Sequence, residues 1–197
     1  MAKIQADKNT SKKETIIQKA ASLFKIKSYS SASMRELADA LGVEAPSLYN
    51  YIGSKSELLQ AICFKVAEDF FVHLDSIEAM NTTTSAKVEA IIRYHIQQMN
   101  TNFEEVFVAN HEWKHLKEPL LTDFLNHRRN YEKRLVSLME QGIENEEFKN
   151  LHPYVMVLTV LSAVRGLEFW QGHKKNIPQE VLENDMVVHL LSGILRG

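Results

Sequence analysis

Residues 33–51 read Ser-Met-Arg-Glu-Leu-Ala-Asp-Ala-Leu-Gly-Val-Glu-Ala-Pro-Ser-Leu-Tyr-Asn-Tyr, and their reading decides the fold. Ser33 followed by Glu36 has the spacing of a capping box, in which serine accepts from an exposed N–H and glutamate reaches back to the cap N–H. Met34, Leu37, Ala38 and Leu41 then recur at i, i+3, i+4 and i+7, the spacing of one helical face. Gly42 ends that helix, as a residue able to take positive φ does. A second short segment, 44–51, carries Pro46 near its first turn, where a missing N–H costs little, and Gly53 breaks it. Helix, glycine turn, helix is the layout of a helix-turn-helix. Leu37, Ala38, Leu41, Val43 and Leu48 are expected to pack the two together. The small Ala38 lets the backbones approach.

Outward from this stretch the chain stays helical. Two further Ser-x-x-Glu boxes, Ser11 to Glu14 and Ser54 to Glu57, flank it. The first precedes Ile17, Ala20, Ala21 and Phe24 at helical spacing. The second opens a long helix over 54–78 that carries Leu58, Leu59, Ile62, Val66 and Phe70. The stretch 81–85, Asn-Thr-Thr-Thr-Ser, reads as a boundary. Beyond it the pattern predicts helices over 86–100, 102–117, 120–145, 153–173 and 179–195. The expected fold is all-α, with about nine helices. Residues 1–56 form a three-helix head and residues 57–197 a helical second domain.

Composition agrees with this class. Seven glycines and four prolines in 197 residues are too few for a turn-rich all-β fold. The single cysteine, Cys63, fits a reducing compartment and sits in an apolar helical stretch, as a core residue would. No signal-peptide pattern is visible at the N-terminus. The longest nearly apolar run, 155–164, falls short of a membrane span. A cytoplasmic protein with no membrane partner is expected. The net charge of −2 hides a split: residues 1–60 carry nine Lys/Arg against six Asp/Glu, residues 61–197 fourteen against nineteen.

Ala45, Pro46, Ser47, Tyr49 and Asn50 are small or neutral polar residues, suited to approaching base edges. Tyr49 and Tyr51 cannot share a helical face, so Tyr49 is expected outward and Tyr51 partly inward. Lys55 opens the next helix, where its charge and the free N–H groups could hold one phosphate. Lys3, Lys8, Lys12 and Lys13 read as a solvated, frayed tail.

Residues 33–43, and above all Leu41–Leu59 (Leu-Gly-Val-Glu-Ala-Pro-Ser-Leu-Tyr-Asn-Tyr-Ile-Gly-Ser-Lys-Ser-Glu-Leu-Leu), resemble the tetracycline-repressor (TetR) family of bacterial transcription regulators. Gly-Val, then Leu-Tyr-x-Tyr, then Ser-Lys-x-x-Leu carry the resemblance, which covers residues 12–60. It implies that Arg35, Ala45, Pro46, Ser47, Tyr49 and Asn50 occupy base- or backbone-contacting positions, and Ser33, Tyr51 and Lys55 phosphate contacts. Two departures stand out. Ala45 replaces the lysine or polar residue many members carry, and Ile52-Gly53 replaces their Phe-Pro. The resemblance further implies a homodimer on a palindromic double-stranded DNA operator, released by a small-molecule effector, with no cofactor and no enzymatic activity.

One motif competes. Residues 111–115, His-Glu-Trp-Lys-His, match His-Glu-x-x-His, in which two histidines on one helical face chelate zinc and the glutamate acts as base. His111 and His115 are thus candidate metal ligands. A third ligand lacks any signature, however, and no strand pattern would build a cleft. A zinc-dependent hydrolase and a helical protein-binding adaptor are the alternatives to the regulator.

The second domain offers two further sets. Tyr94, His95, Met99, Phe103, Phe107, Trp113, Met139, Phe169 and Trp170 could line an aromatic effector pocket. Arg165 in an apolar segment calls for an acidic partner, Glu168 or an anionic ligand among the candidates. The broad apolar faces of the last two helices place Leu158, Leu161, Val187, Leu190, Leu191 and Ile194 at the expected dimer interface.

Overall fold

The capping box at Ser33 forms as its spacing requires. Ser33 Oγ accepts from the Glu36 N–H at 3.3 Å, and the Glu36 carboxylate accepts from the Ser33 N–H at 2.9 Å. It opens helix α2, Met34–Leu41. Gly42 closes α2 at φ 67°, and the Val43 N–H donates back to Ala38. The structure, a computed structural model, describes the backbone of residues 2–170 and 177–196 and the side chains of 12–169 and 177–196. Among the described residues the secondary structure is helical, apart from one isolated bridge between Phe148 and Leu195.

The helices are α1 Ala2–Lys27, α2, α3 Ala45–Leu48, α4 Lys55–Glu78, α5 Thr84–Thr101, α6 Phe103–His111, α7 Leu120–Glu144, α8 Pro153–Arg165, α9 Leu167–Trp170 and α10 Gln179–Ile194. A single 3₁₀ turn, Trp113–His115, follows α6. Several boundaries differ from the sequence expectation. Position 11 lies inside α1 rather than at its start, and the backbone expected to fray is helical from Ala2. The second segment of the helix-turn-helix is a four-residue helix continued by turns. The helix expected over 102–117 stops at His111. The one expected over 153–173 breaks at Gly166.

The chain divides into two compact units. The first takes residues 1–68 and 104–125, so α6 and the 3₁₀ turn join the head. Its core is built by the predicted face of α1 (Ala20, Ala21, Phe24) with Leu37, Ala38 and Leu48. Val43 is a correction: it is 42% exposed, because the Gly42 turn directs it away from the α2–α3 contact. Ile52, at 1% exposure, fills that core. Cys63 is buried, as expected.

The second unit takes residues 69–103 and 126–197. The 81–85 stretch is the capped start of α5. Thr83 Oγ1 accepts from the Ala86 N–H, and the Glu147 carboxylate accepts from the N–H groups of Thr84 (3.0 Å) and Ser85 (2.7 Å). Burial alone would raise the pKa of Glu147, but these backbone donors lower it. Arg93 ties α5 to α10 through Glu183 and Asn184, each at 3.0 Å. Arg134 ties α7 to Asp75 and Glu78 on α4.

Candidate nucleic-acid interface

The head presents one exposed face. Arg35 on α2, and Pro46, Ser47, Tyr49 and Asn50 on and after α3, are all exposed, with Tyr49 at 52%. Ala45 and Tyr51 are half-buried, and Lys12 sits 5.8 Å from the centre of the Tyr51 ring. This matches the expected division of the two tyrosines. What fixes the face is Leu48 behind it: fully buried, it pins the short α3 so that its neighbours point away. Ser33 is spent as a cap. Its partner Glu36 is held at about 2, well below the ordinary carboxylate range, by Lys27 and then by Ser33.

Lys55 opens α4, as its spacing requires, with its ammonium turned back on the preceding loop. Its ammonium donates to the backbone oxygens of Tyr29 (2.9 Å), Ala32 (2.8 Å) and Ser30 (3.3 Å). The adjoining Ser54–Glu57 box is also rearranged. Ser54 Oγ accepts from the Glu57 N–H, but the Glu57 carboxylate accepts from Gly53 N–H at 2.8 Å instead of from Ser54. Glu44, at the start of α3, was not among the expected site residues. It is exposed and makes no capping bond, and it is the only charged side chain between Asp39 and Lys55. Its place two residues before Pro46, at the cap of α3, was the available signal.

The His-Glu-x-x-His segment does not form the helical zinc arrangement. Because α6 ends at His111 and His115 lies on the 3₁₀ turn, the two do not occupy one helical face. His111 packs on Phe107 (centroids 4.4 Å) and His115 on Tyr29 (5.2 Å). Among the described residues, no three His, Cys, Asp or Glu side chains are placed to hold a metal.

The expected effector residues are only partly gathered. Tyr94 and His95 meet in the second unit around Phe70, His73 and Tyr131. His95 Nε2 lies 2.9 Å from the Tyr131 hydroxyl, and Tyr94 stacks on His73 at 3.7 Å. Burial first, then the charges of Arg165 and His73, push the His95 pKa down to about 3. Burial likewise lowers that of His73 and raises that of Tyr131. His73 and Tyr131 were missed, although 70 and 73 share a face of α4 by spacing. Met99 and Met139 are core, and Met139 lines a void of only about 10 Å³, room for about one water. Phe103 is half-buried. Phe107 and Trp113 belong to the first unit. Phe169 is 82% exposed, so it lines no pocket within its unit, and the Trp170 side chain lies outside the described residues. Arg165 is exposed and has no ion pair among the described residues, contrary to the buried pairing expected.

The expected dimer set also divides. Val187, Leu191 and Ile194 are buried inside the unit, spaced i, i+4, i+7 on the inner face of α10, and belong to the unit's own core. Leu158 is exposed, and Leu161 and Leu190 are half-buried. The exposed apolar groups beside them, Tyr154, Val155 and Val188, were missed because a broad apolar face does not say which stripe is covered.

A buried scaffold that displays a short second helix beyond a glycine turn defines a helix-turn-helix DNA-binding protein. Two family models match, "Bacterial regulatory proteins, tetR family" over residues 16–62 and "Tetracyclin repressor-like, C-terminal domain" over residues 81–194. The chain belongs to the TetR family of DNA-binding transcription regulators. It is 20% identical to the transcriptional repressor KstR2 of Mycolicibacterium smegmatis, over 71% of this chain and 68% of that protein. It is 24% identical to KstR2 of Rhodococcus jostii, over 66% and 65%. Its fold is similar to ketosteroid regulator KstR2 of Mycobacterium tuberculosis (TM-score 0.87, 16% identity, 94% and 96% covered). It is also similar to AibR in complex with isovaleryl coenzyme A and operator DNA (TM-score 0.80, 22% identity, 91% and 97% covered). No described helix is long and apolar enough to cross a membrane.

Proposed function

We propose that this chain is a ligand-responsive repressor that binds a near-palindromic operator as a two-fold dimer in the cytoplasm and leaves it when a hydrophobic, anionic effector binds. The single observation that carries the reading is the exposed face of Arg35, Pro46, Ser47, Tyr49 and Asn50 around a pinned α3. These side chains take the base-edge contacts. Phosphates are left to Tyr51, to the N-terminal N–H groups of α4 and to the lysines of α1. Symmetry requires two copies, since a two-fold dimer sets two recognition helices one helical turn apart. The uncovered side chains of α8 and α10, Leu158, Val155 and Val188, supply that contact.

The anionic effector is supported from two sides. Within the second unit Arg165 is exposed without an acidic partner, and its charge already bears on His95. The fold neighbour AibR was crystallised with an acyl-coenzyme A thioester. Release follows if the effector binds the non-operator conformation more tightly.

The test is a fluorescence-anisotropy titration with a palindrome from upstream of the chain's own gene, across a salt series and with added short-chain acyl-coenzyme A. Binding that weakens with salt and with thioester supports the reading. Absence of salt-dependent DNA binding overturns it, since neutralised phosphates must release counterions. Leu158→Asp with Val188→Asp should halve the mass seen by sedimentation. An unchanged mass would place the dimer contact elsewhere.

A further inference from the structure

The loop between α1 and α2 is gripped by groups that lie outside the helix-turn-helix. Tyr29 is its centre. The ring meets Phe24 edge-on, with centroids 5.2 Å apart at 80°. The His115 ring stacks on it at 5.2 Å and 27°. The Lys55 ammonium lies 4.5 Å from its centroid while donating to the carbonyls of Tyr29, Ser30 and Ala32. His115 Nε2 lies 3.4 Å from Ser30 Oγ and 3.3 Å from the Glu112 carboxylate. All these residues belong to the first unit.

An ammonium has three N–H donors and no acceptor. Three carbonyls therefore occupy the whole donor set of Lys55. Reaching out to a phosphate would mean giving up bonds from a charged donor, each stronger than a neutral one. The carbonyls it holds also sit at a decisive place. Ala32 is buried and directly precedes Ser33, the cap at which α2 begins. Where the loop is held, α2 starts. Where α2 starts, Arg35 and, through the Leu37–Leu48 core, α3 are aimed. His115 can join only because α6 stops at His111 and a 3₁₀ turn follows. The His-Glu-x-x-His stretch thus has a use that is neither metal binding nor catalysis.

We propose that Lys55 and His115 are positioning residues for operator binding, gripping the Tyr29–Ala32 loop so that α2 and α3 are held in reading geometry, with Lys55 making no phosphate contact. This rests on the DNA-binding reading, and the experiment separates the two. Full-length protein is titrated by anisotropy into a labelled operator duplex and a random duplex of equal length, over a salt series. Wild-type binding to both duplexes tests the DNA-binding reading by itself; only the variants test the grip.

Lys55→Met keeps the stem and removes the ammonium. Operator affinity should fall about tenfold, from the loss of charged hydrogen bonds. Random-duplex affinity should stay within about twofold, with the salt slope unchanged. Equal losses on both duplexes, with the slope shallower by about 0.9 for each phosphate no longer neutralised, would overturn the proposal, as would an unchanged operator affinity. His115→Ala should cost about fivefold on the operator, and His115→Phe, which keeps a ring against Tyr29, should restore it to within about twofold. A phenylalanine as damaging as the alanine, or an alanine without effect, refutes the role of His115. Amide exchange at Ala32, whose N–H donates to Ser28 at 3.2 Å, should quicken in both loss variants while α5 stays protected. If Lys55→Met unfolds the head, the His115 pair alone decides by the same criteria.

Discussion

In the first unit α2 has eight residues and α3 four; in the second α5 has 18 and α10 has 16. Neither α2 nor α3 is long enough to be stable as an isolated helix. The head is therefore held by local devices, namely the Ser33–Glu36 box, the Gly42 turn and the Lys55 grip, around one small core. The body is held by which faces of long helices cover each other. The difference teaches where each unit is vulnerable. The head should suffer from single changes to caps, turns and its few core residues. The body should tolerate those and fail where packing is tightest.

The largest expected effect tests the head's small core. Leu48 is 1% exposed and joins α3 to α2. Leu48→Ala should cost the head about 3 kcal/mol through the apolar burial it removes and the residual cavity. Hydrogen exchange should quicken over 34–52 well before it does over α5 and α10. Uniform quickening throughout the chain would mean that the two units unfold together, breaking the contrast.

Next comes the body's tightest packing. A Cβ on Gly142 of α7 would run into the ring of Phe148, a fully buried side chain whose own N–H is tied to the Gly142 carbonyl at 2.9 Å. The ring cannot swing away without losing its cavity. Gly142→Ala should cost about 2 kcal/mol by overpacking, read as a lowered denaturant midpoint. The head offers the matched control. A Cβ on Gly42 meets open space, but its φ of 67° is unfavourable for an L side chain. Gly42→Ala should cost about 1 kcal/mol from the backbone alone. If the order of these two costs reversed, backbone strain and not packing would rank the glycines.

This contrast explains what could be read from the sequence. The α2 box, its glycine stop and the buried face of α1 follow from local chemistry, and each formed where the residues required it. The end of α6 at His111 did not follow, because nothing in Phe103–Lys117 breaks a helix. Tyr29 and Ser30, more than 80 residues away in the chain, are what His115 meets instead. The inward burial of Val187, Leu191 and Ile194 was not legible for the same reason. Periodicity marks α10 as apolar on much of its circumference, but only the packing of α5 on α10 chooses the inner stripe. Lys55 shows the limit at the site itself: its charge and its place at a helix start were legible, but the three carbonyls of the preceding loop to which its ammonium donates were not.

A smaller effect is specific to the body and depends on pH. His95 is held down at about 3, against an ordinary histidine value near 6.5. Between these values the unfolded chain binds a proton that the folded chain refuses. Stability therefore rises with pH across that window, and falls as the solution is acidified below about 6.5. His73, also lowered by burial, acts in the same direction, and so does Glu36 below about 4.5. Lowering the pH from 6.5 to 5.5 should cost the body about 1 kcal/mol through His95. His95→Gln, which can still hydrogen-bond Tyr131, should flatten the melting-temperature profile across that pH unit. A profile as steep as wild type would transfer the effect to His73.

The smallest expected effect returns to the head, at Glu44. The first 60 residues carry only three positive charges in excess, so removing one carboxylate from the reading face changes the local balance appreciably. The Glu44 side chain is exposed and ungripped at the start of α3, on the segment that carries Ser47, Tyr49 and Asn50. Against a phosphate backbone it can only repel. Against a base edge, a carboxylate accepts from the amino group of cytosine. The two possibilities give opposite signs on different DNA. Glu44→Gln should tighten binding to random duplex about twofold at low salt, by relieving repulsion that salt would otherwise screen. If the same variant also weakens binding to the operator, and does so only when a C·G pair is kept at one position in each half-site, the acidic group reads a base as well as setting the field. A gain of equal size on both duplexes assigns Glu44 to the field alone, and the reading of sequence then falls to Arg35, Tyr49 and Asn50.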